Sequence, residues 1–296
     1  CNTTGNTNNF IGTDAGRYNT FGSNNNFFGP LAGRGNTTGN NNNFIGSGSG
    51  CSNTFGNNNT FLGQYAGRSN TTGNNNNFIG QCAGFSNTFG NNNQIIGALA
   101  GQSNTTGNSN VFIGLYAGQA NTFGSYNTFV SRDSGRCNTT GSYNNFFGFR
   151  AGRSNTTGSN NNFIGCCAGY SNTIGCGNNF FGNLAGHCNT TGNSNNFFGR
   201  YAGRNSTQGS DSVFIGTLAG CNNTTAANNI AIGWNSGTTG GSPSGLINFT
   251  TTGNQIVMGN GNHTTACIQI AWGVASDIRY KCVYGTVPHG RDFLKN

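Results

Sequence analysis

Asn70–Gly80 reads N-T-T-G-N-N-N-N-F-I-G. It is one copy of a unit that recurs every 17 residues from Cys1 to about Gly237. The Gly after the apolar pair is Gly12 in the first copy and Gly233 in the fourteenth, with Ser131 the one replacement. A second Gly, four residues on, runs from Gly16 to Gly237 without a gap, and a third runs from Gly5 to Gly209 and fails only at Ala226. Three Gly per unit argue against a helix, where each costs about 1 kcal/mol relative to Ala. Fixed glycine corners suit a chain that turns with positive φ or brings backbones close together. The segments between corners, N-T-x and N-x-F-I, have strand length. A fixed period of this size means stacked units. The expected fold is all-β: a parallel β-solenoid, or β-roll, with one 17-residue repeat per coil.

Two neighbouring columns are apolar. The first is Phe in twelve of fourteen copies, from Phe10 to Phe214, with Ile95 and Ala231 the exceptions. The next, from Ile11 to Ile232, is always apolar. Adjacent strand residues point to opposite faces. One column therefore fills a thin interior, and the other needs a partner, most simply another copy of the chain. The residues do not say which column is which. Polar columns are as regular: Thr fills all fourteen copies from Thr3 to Thr224, and Asn fills thirteen from Asn8 to Asn229. Coils about 4.8 Å apart let such amides bond up and down the stack. The residue after the Thr alternates (Thr4, Phe21, Thr38, Phe55, Thr72, Phe89, Thr106, Phe123) until Thr140 and Thr157 end the pattern.

Of 296 residues, 33% are hydrophobic and only 6% charged. Low charge with abundant Asn, Gly, Ser and Thr would suggest disorder, but strict periodicity and 24 Phe argue otherwise. A solenoid needs few aliphatics, because each coil touches only its neighbours. No apolar run is long enough for a transmembrane helix. The chain opens at Cys1 with neither Met nor signal peptide, and reads as part of a longer polypeptide.

The net charge of +8 comes mainly from Arg, and Arg17, Arg34, Arg68, Arg136, Arg153 and Arg204 share one column. Interruptions such as Cys51 and Gln102 favour a solubilising edge over a stripe for phosphate or acidic glycans. Lys is absent before Lys281, which weighs against nucleic acid. The eleven Cys include no C-x-x-C pair, and no two share a column in adjacent coils. They read as small buried hydrophobes, with bridges involving Cys166 and Cys176 an open alternative. His187, His263 and His289 lack partners at ligand spacing, so no metal or other cofactor is expected. There is no Glu, and Asp14, Asp133, Asp211, Asp277 and Asp292 are too scattered for the facing carboxylates of a glycosidase.

After Gly233 the register breaks. Trp234–Gly245 reads as a connector, Leu246–Phe249 as a short strand, Asn254–Gly259 as a degenerate echo of the repeat, and Cys267–Val274 as a further strand. Then comes Ala275-Ser-Asp-Ile-Arg-Tyr-Lys281, followed by Val287-Pro-His-Gly-Arg-Asp-Phe-Leu-Lys-Asn296. This resembles the start of the intramolecular chaperone of endosialidase-type tail fibres, the S74 peptidase family, which opens with S-D-x-R-x-K. The resemblance covers about the last 35 residues. It implies a trimer of fibre subunits and self-cleavage before Ser276, with Ser276 as nucleophile and Lys281 as its base. Cys282 departs from the acidic residue common in that family, and most of a chaperone domain is missing. The repeats are also similar to the head repeats of trimeric autotransporter adhesins, which carry an N-x-x-x-I-G strand and Gly corners; those repeats are shorter.

The expected organisation is a solenoid over 1–237, a connector and stalk strands over 238–275, and the start of a chaperone segment over 276–296. The expected role is the shaft of a trimeric extracellular fibre, on a virion or cell surface, that serves attachment and is no enzyme apart from self-cleavage. Its partners would be itself and a host-surface glycan or receptor, without nucleic acid or membrane insertion. Tyr65, Tyr116 and Tyr201 share a column and are either glycan contacts or packing at a subunit groove. Two rival readings are an ice-binding solenoid, through the Thr ladder, and a non-viral adhesive filament on a cell surface.

Overall fold

A computed structural model describes residues 3–238 and 249–262. The N-x-F-I segments form three-residue strands, one per repeat from β1 (Asn9–Ile11) to β14 (Ile230–Ile232), followed by β15 (Ile256–Met258). All fifteen lie in one parallel sheet in sequence order. Column sits on column: Asn9 pairs with Asn26, Phe10 with Phe27, Ile11 with Phe28. The chain is thus the expected all-β parallel solenoid of 17-residue coils. At about 4.8 Å per step, the strands stack over roughly 67 Å.

The N-T-x segments, expected to be strand-like, are bends. The Thr37 carbonyl accepts from the backbone N–H groups of Thr20, Phe21 and Gly22 at 3.0, 3.0 and 3.2 Å, and from the Thr20 hydroxyl at 3.0 Å. Donors that converge on one oxygen curl the chain, whereas a ladder would spread them along a strand. The Thr column is therefore the peg that fixes this bend from coil to coil.

The interior is four side chains per coil. The Phe column points inward and is fully buried from Phe27 to Phe214. Its rings stack in register, for example Phe44 on Phe61 at 4.7 Å and 6°. The other three are a small residue, usually Ala, and two Asn. The Asn8 column was legible in advance; the second Asn column, Asn19 to Asn223, is equally buried and carries the tighter ladder. Asn36 Nδ2 donates to Asn19 Oδ1 at 2.7 Å and to the Gly39 carbonyl at 2.9 Å. Asn25 Nδ2 donates to the same carbonyl at 2.8 Å, and its own Oδ1 accepts from the Asn42 backbone N–H at 2.9 Å. Buried polar groups are tolerable when their partners are supplied in this way.

The three glycines serve different ends. Those at the Gly12 and Gly16 positions have positive φ, 130° and 57° in the first coil. At the Gly22 position φ is ordinary, but a Cβ would strike the Asn19 amide and the Gly39 carbonyl of the next coil. Close stacking, rather than turning, demands that third glycine.

One further coil follows residue 237. The register there steps by 26 residues, from Thr224 to Thr250, before β15 pairs with β14. Phe249 is no strand residue: it lies in a turn, fully buried, with its ring 5.9 Å from that of Phe214. It fills the space that Ala231 leaves at its own Phe position. Residues 246–248, the Cys267–Val274 strand and the segment with Ser276 and Lys281 lie outside the described residues.

Candidate functional site

With the Phe column inside, the neighbouring column faces out. Ile45, Leu62, Ile113, Phe147, Ile164, Phe198, Ile215 and Ile232 are 37–42% exposed, and the end rungs Ile11 and Met258 reach 63%. Beside it runs a polar ladder on the same face, in which Asn145, Asn162, Asn179 and Asn196 are linked amide to amide at 2.7–2.8 Å. The result is an apolar stripe along one face of the sheet.

A second feature is an open trough of about 940 Å³, lined by two adjacent columns that include Asn40, Asn41, Asn57, Asn58, Asn74 and Asn75. Asn40, Asn57 and Asn74 form one wall. Each amide donates to the carbonyl two residues back, as Asn57 does to Phe55 at 2.8 Å, and accepts from the backbone N–H of the preceding coil. Asn41, Asn58 and Asn75 form the other wall, in the left-handed region at φ 57–58°. Short amides tolerate that conformation. Beside the trough stand Phe21, Phe55, Phe89 and Phe123, each 56–60% exposed. At its far end Tyr126 stacks on Tyr143 at 5.0 Å, with both rings more than half exposed.

The Tyr column, read as glycan contacts or as packing at a subunit groove, is half covered by Arg side chains. Arg68 lies over Tyr65 at 5.3 Å, Arg136 over Tyr116 at 4.6 Å, and Arg204 over Tyr201 at 5.3 Å. All three rings are half-buried. Arg34 over Tyr18 and Arg153 over Tyr170 continue the arrangement. The Arg column is therefore an edge of cation–π pairs, each worth about 0.5–1 kcal/mol at an exposed site. The most exposed aromatics include the alternating Phe residues, whose period was visible in the sequence but whose exposure was not.

Among the described residues the carboxylates are few and far apart. Asp133 is paired with Arg136 at 3.2 Å, Arg150 at 3.8 Å and Arg132 at 4.0 Å. Asp14 pairs with Arg17 at 3.2 Å, and Asp211 lies in a different coil from either. Among the described residues the thiols expected to be buried are not: Cys166 is exposed, and Cys51, Cys82, Cys137, Cys167, Cys176, Cys188 and Cys221 are half-buried and free. Most sit at bends between strands, where side chains point outward. Partial burial still pushes Cys82 and Cys221 up, and Cys167 up to about 11, with the Cys166 thiol at 3.6 Å adding to the effect. Those three are poor thiolates. Burial, and then Arg204, push the His187 imidazole below its ordinary value. Among the described residues no group of three or more His, Cys, Asp or Glu could hold a metal ion, and no helix is long and apolar enough to cross a membrane.

The hydroxyls of the Thr ladder are occupied, each donating to the carbonyl of the next coil, as Thr71 does to Thr88 at 3.0 Å. That leaves the ice-binding reading without a free Thr row. No family model matches the chain, and no curated protein matches it.

Proposed function

We propose that the chain is the shaft of a homotrimeric extracellular fibre, on a virion or cell surface, that serves attachment. The observation that carries the reading is the apolar stripe from Ile11 to Met258, which lies outside a core already complete without it. Ten of its fifteen residues are 37–63% exposed and offer on the order of 70 Å² of apolar surface each, the other five less. The row then totals on the order of 1,000 Å², more than most monomers leave in one patch. It is comparable to the roughly 800 Å² that each partner buries in a stable complex. Three copies with their stripes turned to a common axis, parallel to the stack, would cover it.

The resemblance of Ser276–Lys281 to a trimer-forming chaperone favours three copies over two. In that reading the Ser276 hydroxyl adds to the Ala275 carbonyl as its proton passes to Lys281. The Ser276 amine leaves, and water then hydrolyses the ester. The mechanism of the shaft itself is mechanical: stacked ladders make a stiff spacer with few sites for a protease.

Replacing Ile113 and Ile164 by Lys leaves the interior untouched and sets charges into the stripe. Sedimentation velocity should show the trimer replaced by a folded monomer with an unchanged circular dichroism spectrum. An unchanged assembly would mean that the stripe is not the interface.

A further inference from the structure

The face formed by the Asn trough and the alternating Phe row has features that shaft stability does not need. Phe21, Phe55, Phe89 and Phe123 each leave more than half their surface in water, and none makes a ring contact among the described residues. Thr occupies the same column in the coils between them, so the fold does not require an aromatic there. The side-chain amides of Asn24, Asn41, Asn58, Asn75 and Asn92 are exposed and make no hydrogen bond among the described residues, unlike those of the wall opposite. They recur at every coil, about 4.8 Å apart, while the rings recur at every second coil, about 9.6 Å apart. No charged residue occurs in these three columns between Phe21 and Tyr143. The Tyr126–Tyr143 stack closes the trough with another aromatic surface.

We infer that this face binds an extended, neutral β-1,4-linked polysaccharide of the cellulose or chitin type. Such a chain is flat and rich in hydroxyls, and its sugar rings present C–H faces to aromatic side chains. Successive sugars are turned over, so the same face returns at every second unit. The disaccharide repeat is close to the spacing of two coils. Rings repeating every two coils would meet equivalent sugar faces, and amides repeating every coil would meet hydroxyls of each sugar, donating through Nδ2 and accepting through Oδ1. The absence of charge disfavours nucleic acid and acidic glycans. The inference gives a ligand class to the attachment role proposed above, and it needs no particular oligomeric state.

The test is co-sedimentation of the full chain with microcrystalline cellulose and with chitin, with amylose as the α-linked control. Mass is followed in parallel, so that failure to bind and failure to assemble are read separately. Binding to cellulose or chitin, competed by the matching soluble oligosaccharide, is expected; which polymer binds identifies the sugar. Replacing Phe21, Phe55, Phe89 and Phe123 by Thr reproduces a residue that the column already carries, so melting should be unchanged. Affinity should fall at least about tenfold, equivalent to about 1.4 kcal/mol. Replacing Tyr126 and Tyr143 by Asn should weaken binding as well. No binding to either polymer, equal binding to amylose, or full affinity in the Phe-to-Thr variant would overturn the inference. So would thermal hysteresis without polysaccharide binding, which would assign the face to ice.

Discussion

Coil thirteen breaks both buried Asn ladders, with Ser206 in one and Ser212 in the other. The second break is repaired locally: the Ser212 hydroxyl oxygen accepts from the Asn229 backbone N–H at 3.2 Å. The first is not. Ser206 Oγ accepts from Asn223 Nδ2 at 3.1 Å, but among the described residues nothing donates to Asn189 Oδ1, which is left buried without a partner. From Asn19 to Asn172 the next Asn supplies that donor, as Asn121 does to Asn104 at 2.8 Å, and the last rung, Asn223, is again without one. A buried acceptor without a partner costs about 1–3 kcal/mol. Ser206→Asn restores the donor, against about 1 kcal/mol for fixing a longer side chain. The net expectation is a gain of about 1 kcal/mol, seen as a rise of about 2–4 °C in the melting of the affected coils. The mirror change, Asn121→Ser, creates the same orphan at Asn104 Oδ1 and should cost a similar amount. Thermal circular dichroism gives the shift, and amide hydrogen exchange shows whether it is centred on the coils around residue 206. Repeat proteins distribute stability between neighbours, so the effect should be local. A neutral result for both variants would refute the claim that ladder continuity stabilises the stack.

Two further outcomes are expected, the first from the burial of titratable groups and the second from the resemblance at Ser276–Lys281. His187 is neutral in both states above pH 6.5; below it the unfolded chain takes up the proton first, so stability falls as pH drops through the depressed native value. Unfolded thiols ionise from pH 9.0 upward, and stability is lost from there through about 11, the value for Cys167. Melting temperature should therefore be level between pH 6.5 and 9.0, and His187→Asn should remove the first part of the acid limb; an unchanged acid limb would contradict the burial assigned to this ring. Expressed with its native downstream sequence, the chain should be cut before Ser276 and Ser276→Ala should stay whole; equal cleavage of the two, or none in either, would end the self-cleavage reading.

The period, the glycine corners and the parallel stack were legible because a repeat states its own register. Which apolar column faces in was not, since Phe10 and Ile11 are both plausible core residues. The choice turns on the Gly16 position, whose missing Cβ leaves room for the Phe10 ring. The Asn19 column could have been read as a second ladder, because Asn precedes Thr in thirteen of fourteen copies. Phe249 could not, because its place in the core depends on a void at Ala231 that only the packing reveals. The same holds for the aromatics. Tyr65 and Phe55 look alike in a sequence, yet an Arg three residues on lies over the first, and the second stands free.

The most direct test of the fibre proposal is the mass of the assembled chain. Sedimentation equilibrium of the protein should give three copies of the chain over a wide range of concentration. A single copy at every concentration would mean that the stripe from Ile11 to Met258 is not an interface between copies of this chain.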